Sequence, residues 1–258
     1  MTEATRPTRA DEPTSHAPVR ARVLVDPGLG AMWGFAAGAA LGAAPNAFHA
    51  ALTVAKGLMA RGMYHGTETA TGAEALARVL PLAMFHAGAD EQRIETALRQ
   101  AEDLETRLAC AAWAGAVAAA TWRGDSPTDQ IIAAVTDLDV ASEALRDGLG
   151  EDAVIAANTT LRVDIGRALN AERVPSDGSA RAALVQAFWH LTHETPPEDA
   201  MAGVSGAEAA VLGALIGARQ GREALPASWL AAAGTLPVAE LADFVQTGPF
   251  LGWGTPKT

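Results

Sequence analysis

Two stretches decide the fold: GAMWGFAAGAALG at residues 30–42 and GALIGARQG at residues 213–221. In the first, Gly30, Gly34, Gly38 and Gly42 recur every four residues; in the second, Gly213, Gly217 and Gly221 do the same. Residues four apart share one face of an α-helix. Each stretch therefore describes a helix with one smooth edge, against which another backbone can pack closely. Glycine costs about 1 kcal/mol per residue in a helix relative to alanine, so such a row implies tight packing.

Composition agrees with a helical protein. Of 258 residues, 49% are hydrophobic and 19% charged, which supports a sizeable core. Alanine, the best helix former, dominates, and β-branched runs are short, so the expected fold is all-α. Helices are expected at about 28–43, 47–61, 73–86, 90–101, 104–122, 127–136, 140–148, 150–171, 179–193, 206–220, 226–233 and 237–246. No tandem repeat or long linker divides the chain, and one domain over residues 21–247 is the simplest organisation. Residues 1–20, rich in Pro and Thr, and 248–258, rich in Gly, Pro and Thr, have the composition of loose tails.

The net charge of −11 argues against non-specific nucleic-acid binding, which needs a basic surface. It leaves room for a small anionic ligand at a helix N-terminus. Residues 27–48 are uncharged and about long enough to span a bilayer. They are mostly Gly and Ala, however, and Pro45-Asn46 interrupts them, so a buried helix is expected rather than a membrane span. No secretory leader is visible, and the cytoplasm is the expected location. The lone Cys110 sits in an apolar stretch and reads as a buried structural thiol; the chain has no zinc-type cysteine spacing. His190 and His193 lie three apart, but not in the His-Glu-x-x-His arrangement of zinc sites. Asp137 and Asp139, in VTDLDVAS, are expected on a solvated loop between two helices, capping them.

Three segments, in order, resemble the ADP-ribosylglycohydrolase family. GFAAGAALGAAP (34–45) is similar to the family's N-terminal glycine helix. GAEALARVLPLAMF (72–85) is similar to its Gly-Asn-Gly-Ala-Ala-Met-Arg loop and the helix that follows. AAVLGALIGARQG (209–221), followed by Pro226-Ala227-Ser228-Trp229-Leu230, is similar to its C-terminal glycine helix and Pro-x-x-Trp-Leu element. The resemblance implies a compact all-α bundle. It also implies cleavage of ADP-ribose from proteins or small molecules with two magnesium ions, held by an early Thr-Asp-Asp-Thr and a late Asp-x-Asp-Thr. Magnesium is a hard cation that demands carboxylate oxygens, and paired ions would orient the ribose diol and activate water.

This chain departs from the pattern at the metal positions. Val204, Ser205, Gly206 and Ala207 stand where the late cluster falls, and Pro45, Asn46, Ala47 and Phe48 where the early one falls. Ala39 replaces the aspartate of the first helix, and Ala73 the asparagine of the middle motif. No metal site and no cofactor are therefore expected. His49, Glu68 and Glu74 are the candidate acid/base groups. Asn46, Phe48, Gly72, Arg78, Ser205, Gly206 and Glu208 are the candidate ligand pocket, with Arg78 matching the family arginine and bracing the loop above it. Backbone N–H groups near Ser205 and Gly206 could hold an anion or a carbonyl.

Three functions remain open. One is a metal-independent enzyme or small-molecule binder using the former active-site pocket. The second is a non-catalytic protein that binds ADP-ribose, a nucleotide or a partner protein. The third is a working dimetal hydrolase whose ligands lie elsewhere. Sequence does not specify the oligomeric state.

Overall fold

The computed structural model describes residues 25–62, 64, 66, 68–124, 126–170 and 176–247. The tails expected at 1–20 and 248–258 lie outside the described residues, as does most of the loop expected at 172–178. Among the described residues there are twelve α-helices and no strand.

The N-terminal half contains α1 (Val25–Leu41), α2 (Pro45–Arg61), α3 (Gly72–Phe85), α4 (Asp90–Leu98) and α5 (Leu104–Ala118), which runs on into a π-helical turn, Ala119–Arg123. Then come α6 (Pro127–Leu149), α7 (Glu151–Leu169), α8 (Ala180–Thr192), α9 (Pro197–Met201), α10 (Gly206–Gln220), α11 (Ala227–Ala233) and α12 (Val238–Thr247). No helix among the described residues is long and apolar enough to cross a membrane.

Local chemistry sets the boundaries. Asp103, Ser126 and Ser179 cap α5, α6 and α8 by accepting from the amides of Thr106, Asp129 and Ala182 at 2.8, 3.3 and 3.0 Å. Pro45 and Pro127 open α2 and α6, where a missing N–H costs no helical bond. α2 ends at Gly62, whose φ of 68° is left-handed and whose amide donates to the Leu58 carbonyl at 2.8 Å.

The glycine ridges meet each other. α1 and α10 run antiparallel, with Gly30 on Gly217, Gly34 on Gly213 and Gly38 on Ala209. A β-carbon on any of these three α1 glycines would lie 2.0 Å from the facing carbonyl oxygen. This pair, covered by α11 and α12, forms one side of the core. The other side surrounds α5, where every residue from Leu108 to Ala118 is buried; a helix apolar all round belongs in an interior. Cys110 lies there, and burial, with a smaller contribution from Asp103, pushes its thiol up, so it stays protonated.

Two expectations change. Residues 127–149 form one helix, so Asp137 and Asp139 sit inside α6 and not on a loop. Asp137 is buried and paired with Arg93 of α4, at 2.8 Å to Nε and 2.9 Å to Nη2; Asp139 pairs with Arg162 of α7 at 2.6 Å. These partners, remote in sequence, outweigh the weak helix preference of aspartate. The short helix α9 was not expected; Pro197 at its first position starts it.

Candidate functional site

The ridges position a cleft. Where α1 ends, the Gly42 carbonyl accepts from the amide of Gly206, the first residue of α10, at 2.8 Å. The start of α10 is thereby fixed beside the start of α3. The loop before α8 closes the gap. The Gly178 carbonyl accepts from the Ala73 amide of α3 at 3.1 Å, and the Gly178 amide donates to Glu208 Oε1 of α10 at 2.8 Å. The Ser176 hydroxyl donates to Glu208 Oε2. Gly72 is required at the junction: its φ is +57°, and a β-carbon there would lie 2.4 Å from the Gly178 oxygen.

The resulting cleft has a volume of about 290 Å³. Its walls carry Thr71, Glu74, Ser176, Ser205, Gly206 and Glu208. Ser205 precedes α10 but makes no side-chain cap. An α-helix leaves its first N–H groups without intrahelical partners. The amides of Ala207 and Glu208 therefore have no carbonyl one turn back, and both residues line the cleft. Glu208 is only 2% exposed, and each of its oxygens already accepts a hydrogen bond.

The structure thus brings Glu74, Ser205, Gly206 and Glu208 together, with Gly72 supporting the corner. The other candidates lie elsewhere. Phe48 is fully buried and stacks on Phe35, with ring centroids 6.3 Å apart, so it belongs to the core and cannot touch a ligand. His49 follows it on α2, about 100° further round the helix, and is exposed. Asn46 is exposed in the first turn of the same helix. Glu68 is exposed beside Arg78. Arg78 is buried and braces the preceding loop: its Nη2 donates to the Glu68 carbonyl at 2.7 Å and to the Tyr64 hydroxyl at 2.9 Å, and its Nε to Gln100 Oε1 at 3.3 Å. Ser176 and Gly178 were missed by sequence reasoning; the Asp177-Gly178 turn pair was the available signal.

The cleft walls carry two carboxylates, Glu74 and Glu208. The eight positions that the resemblance assigns to the family's acidic clusters, 45–48 and 204–207, hold no carboxylate, and Ala47, Phe48 and Val204 among them are buried. Among the described residues, no group of three or more His, Cys, Asp or Glu side chains could hold a metal ion. Glu208, the buried carboxylate at the helix start, is occupied in tying down the 176–178 loop.

This helical architecture, with its paired glycine helices and a cleft where α3 and α10 begin, defines a class. The chain belongs to the ADP-ribosylglycohydrolase family, whose model matches residues 45–249. A search of curated proteins finds none that matches the chain.

Proposed function

We propose that this protein is a divergent ADP-ribosylglycohydrolase family member that binds a small ribosyl-type ligand in the cleft at the start of α10, without dimetal glycohydrolysis. One observation carries this reading: the cleft is open and polar at Ser205, Gly206 and Ala207, where the resemblance would put the late carboxylate cluster. Its chemistry suits a diol. The Ala207 and Glu208 amides offer donors, the Thr71 and Ser205 hydroxyls can donate or accept, and the Glu74 carboxylate accepts.

Ligand pockets commonly span roughly 300–1,000 Å³, and the cleft, at about 290 Å³, falls just below that range. It suits one sugar unit, with the rest of a larger ligand outside. Binding is favoured over turnover because Glu208 is tied by two hydrogen bonds, while His49 and Glu68 are outside the lining. Glu74 is the remaining acid/base candidate at the cleft.

The test is calorimetric titration with ADP-ribose and with ribose 5-phosphate, with and without magnesium, alongside chromatography of products from ADP-ribosyl-arginine. Saturable binding that does not depend on magnesium, weakened by Glu74→Gln, with no released ADP-ribose, is the expected result. Magnesium-stimulated release, or no saturable binding at millimolar ligand, would overturn the proposal.

A further inference from the structure

A second concavity, larger than the cleft at α10, lies elsewhere on the molecule. A groove of about 690 Å³ lies between the start of α4, the end of α5 with its π-helical turn, and the first half of α6. Its floor is made of small residues: Gly115, Ala118, Ala119 and Ala133. Gly115 allows α5 and α6 to approach closely, since a β-carbon there would lie 2.6 Å from the Ala133 oxygen. π-Helical turns are frequent at functional sites, and this one places Trp122 on the groove wall.

The charge of the groove has a definite sign. Three aspartates, Asp90, Asp129 and Asp137, line it with one arginine, Arg93, leaving a net formal charge of −2. Arg93 is committed inward. Its Nε and Nη2 donate to Asp137, and its Nη1 donates to Asp90 at 2.6 Å and to the Ala87 carbonyl at 3.1 Å. The exposed carboxylates are Asp90 on the α4 wall, whose Oδ1 pairs with Arg93, and Asp129 on the α6 wall, whose Oδ2 accepts from the Ser126 hydroxyl at 2.6 Å; each keeps an oxygen for a further donor. Beside them Ile132 is 58% exposed, more than any other exposed large hydrophobic residue in the described chain. An apolar floor and lip between acidic walls complement a ligand with an apolar body and positive ends.

We infer that this groove binds an organic diamine or polyamine, with its methylene body over Ile132 and the alanine floor and its ammonium groups toward Asp90 and Asp129. The site is separate from the cleft at α10 and does not depend on the function proposed for it.

The experiment titrates 1,8-diaminooctane into the full chain, following amide chemical shifts by NMR. Suberate (the same body with negative ends) and 1,8-octanediol (the same body uncharged) serve as controls. Saturable shifts centred on Gly88, Gly115 and Thr136, absent with both controls, are expected. Two exposed ion pairs are lost when Asp90→Asn is combined with Asp129→Asn, which should weaken binding roughly twofold to thirtyfold. Asp139→Asn, outside the groove, should leave it unchanged. Thr136→Trp, at an exposed position on α6, should fill the groove and abolish binding without unfolding the protein. Shifts spread over the whole acidic surface, equal binding of the diol, equal weakening by Asp139→Asn, or undiminished binding by Thr136→Trp would each overturn the inference. Shifts at residues 205–208 instead would place the diamine in the other cleft and also refute it.

Discussion

Gly34 and Gly213 face each other backbone to backbone: a β-carbon on Gly34 would lie 2.0 Å from the Gly213 oxygen, and one on Gly213 would lie 2.1 Å from the Gly34 oxygen. The obstruction is main chain on both sides, so no side chain can swing away to relieve it. The same helix pair carries the Gly42–Gly206 hydrogen bond that fixes the start of α10 at the cleft. Helix packing and site geometry are therefore one feature.

The first prediction follows from that contact. Gly34→Ala gains about 1 kcal/mol of helix propensity but must push two helices apart, and overpacking costs typically 1–3 kcal/mol or more. With every near atom in the backbone and the closest at 2.0 Å, the cost lies at the top of that range, about 3 kcal/mol, so a net loss of about 2 kcal/mol is expected in urea denaturation. Gly166→Ala is the control. It lies inside α7 with nothing within 4 Å of the added carbon, and it should gain roughly 0.5–1 kcal/mol. Equal effects of the two substitutions would refute the role given to the ridge.

The glycine ridges were legible because a four-residue period has one structural meaning, and the family motif at residues 209–230 named the fold outright. The site was legible only where its residues sit on those motifs, as Glu74, Ser205, Gly206 and Glu208 do. His49 and Phe48 show the limit. Adjacency in sequence to a motif does not say which side of the helix a residue takes, and Phe48 turned into the core. Asp137 shows another limit. Its partner Arg93 is 44 residues away, and no local pattern announces a buried ion pair. Ser176 and Gly178 meet Glu208 across about thirty residues, partly through a backbone amide that carries no sequence signal.

The Glu208 tie yields the second prediction. Glu208→Ala leaves the Gly178 amide and the Ser176 hydroxyl without their acceptor; both residues are exposed, so water can replace it, and the loss is that of hydrogen bonds to a charged acceptor, about 1.5–3 kcal/mol. Glu208→Gln should cost less, because the amide oxygen still accepts from Gly178 and the Ser176 hydroxyl can turn to accept from its nitrogen. Hydrogen exchange at the Gly178 amide should accelerate strongly in the alanine variant and weakly in the glutamine variant. Unchanged exchange in Glu208→Ala would show that the loop is held by other contacts.

A third prediction concerns acid. His86 ends α3, is 6% exposed, packs edge-on to Phe85 at 4.9 Å, and has no hydrogen-bond partner at Nδ1. Burial, with a smaller contribution from the Arg93 guanidinium, lowers its pKa from 6.5 to about 4. Between these values the unfolded chain binds more protons than the folded one. Stability from this residue is thus complete above pH 6.5 and falls as pH drops toward 4. The loss amounts to about 2 kcal/mol at pH 5, from linkage at 1.36 kcal/mol per unit of pKa difference. Denaturation of the wild type and His86→Gln at pH 7 and pH 5 checks it: the drop between the two should be about 2 kcal/mol smaller in the variant. An identical drop would rule out His86 as a source of acid sensitivity.

The fourth prediction sets a buried ion pair against an exposed one, their aspartates both on α6. Asp137 and Arg93 have side chains each 6% exposed, whereas Asp139 and Arg162 are each 48% exposed. Removing one partner of a buried pair strands a charge in the interior and costs roughly 3–5 kcal/mol; an exposed pair contributes about 1 kcal/mol or less. Arg93→Ala should therefore lower stability several times more than Arg162→Ala in urea titrations. Replacing both buried partners, as Arg93→Met with Asp137→Leu, should recover most of the loss, because apolar groups of similar volume need no solvation. If Arg93→Ala proves too unstable to fold, the double variant still decides the point: recovery of a folded helical spectrum identifies the stranded Asp137 charge as the cause. Failure to recover would assign the damage to the lost Ala87 and Asp90 contacts of Arg93.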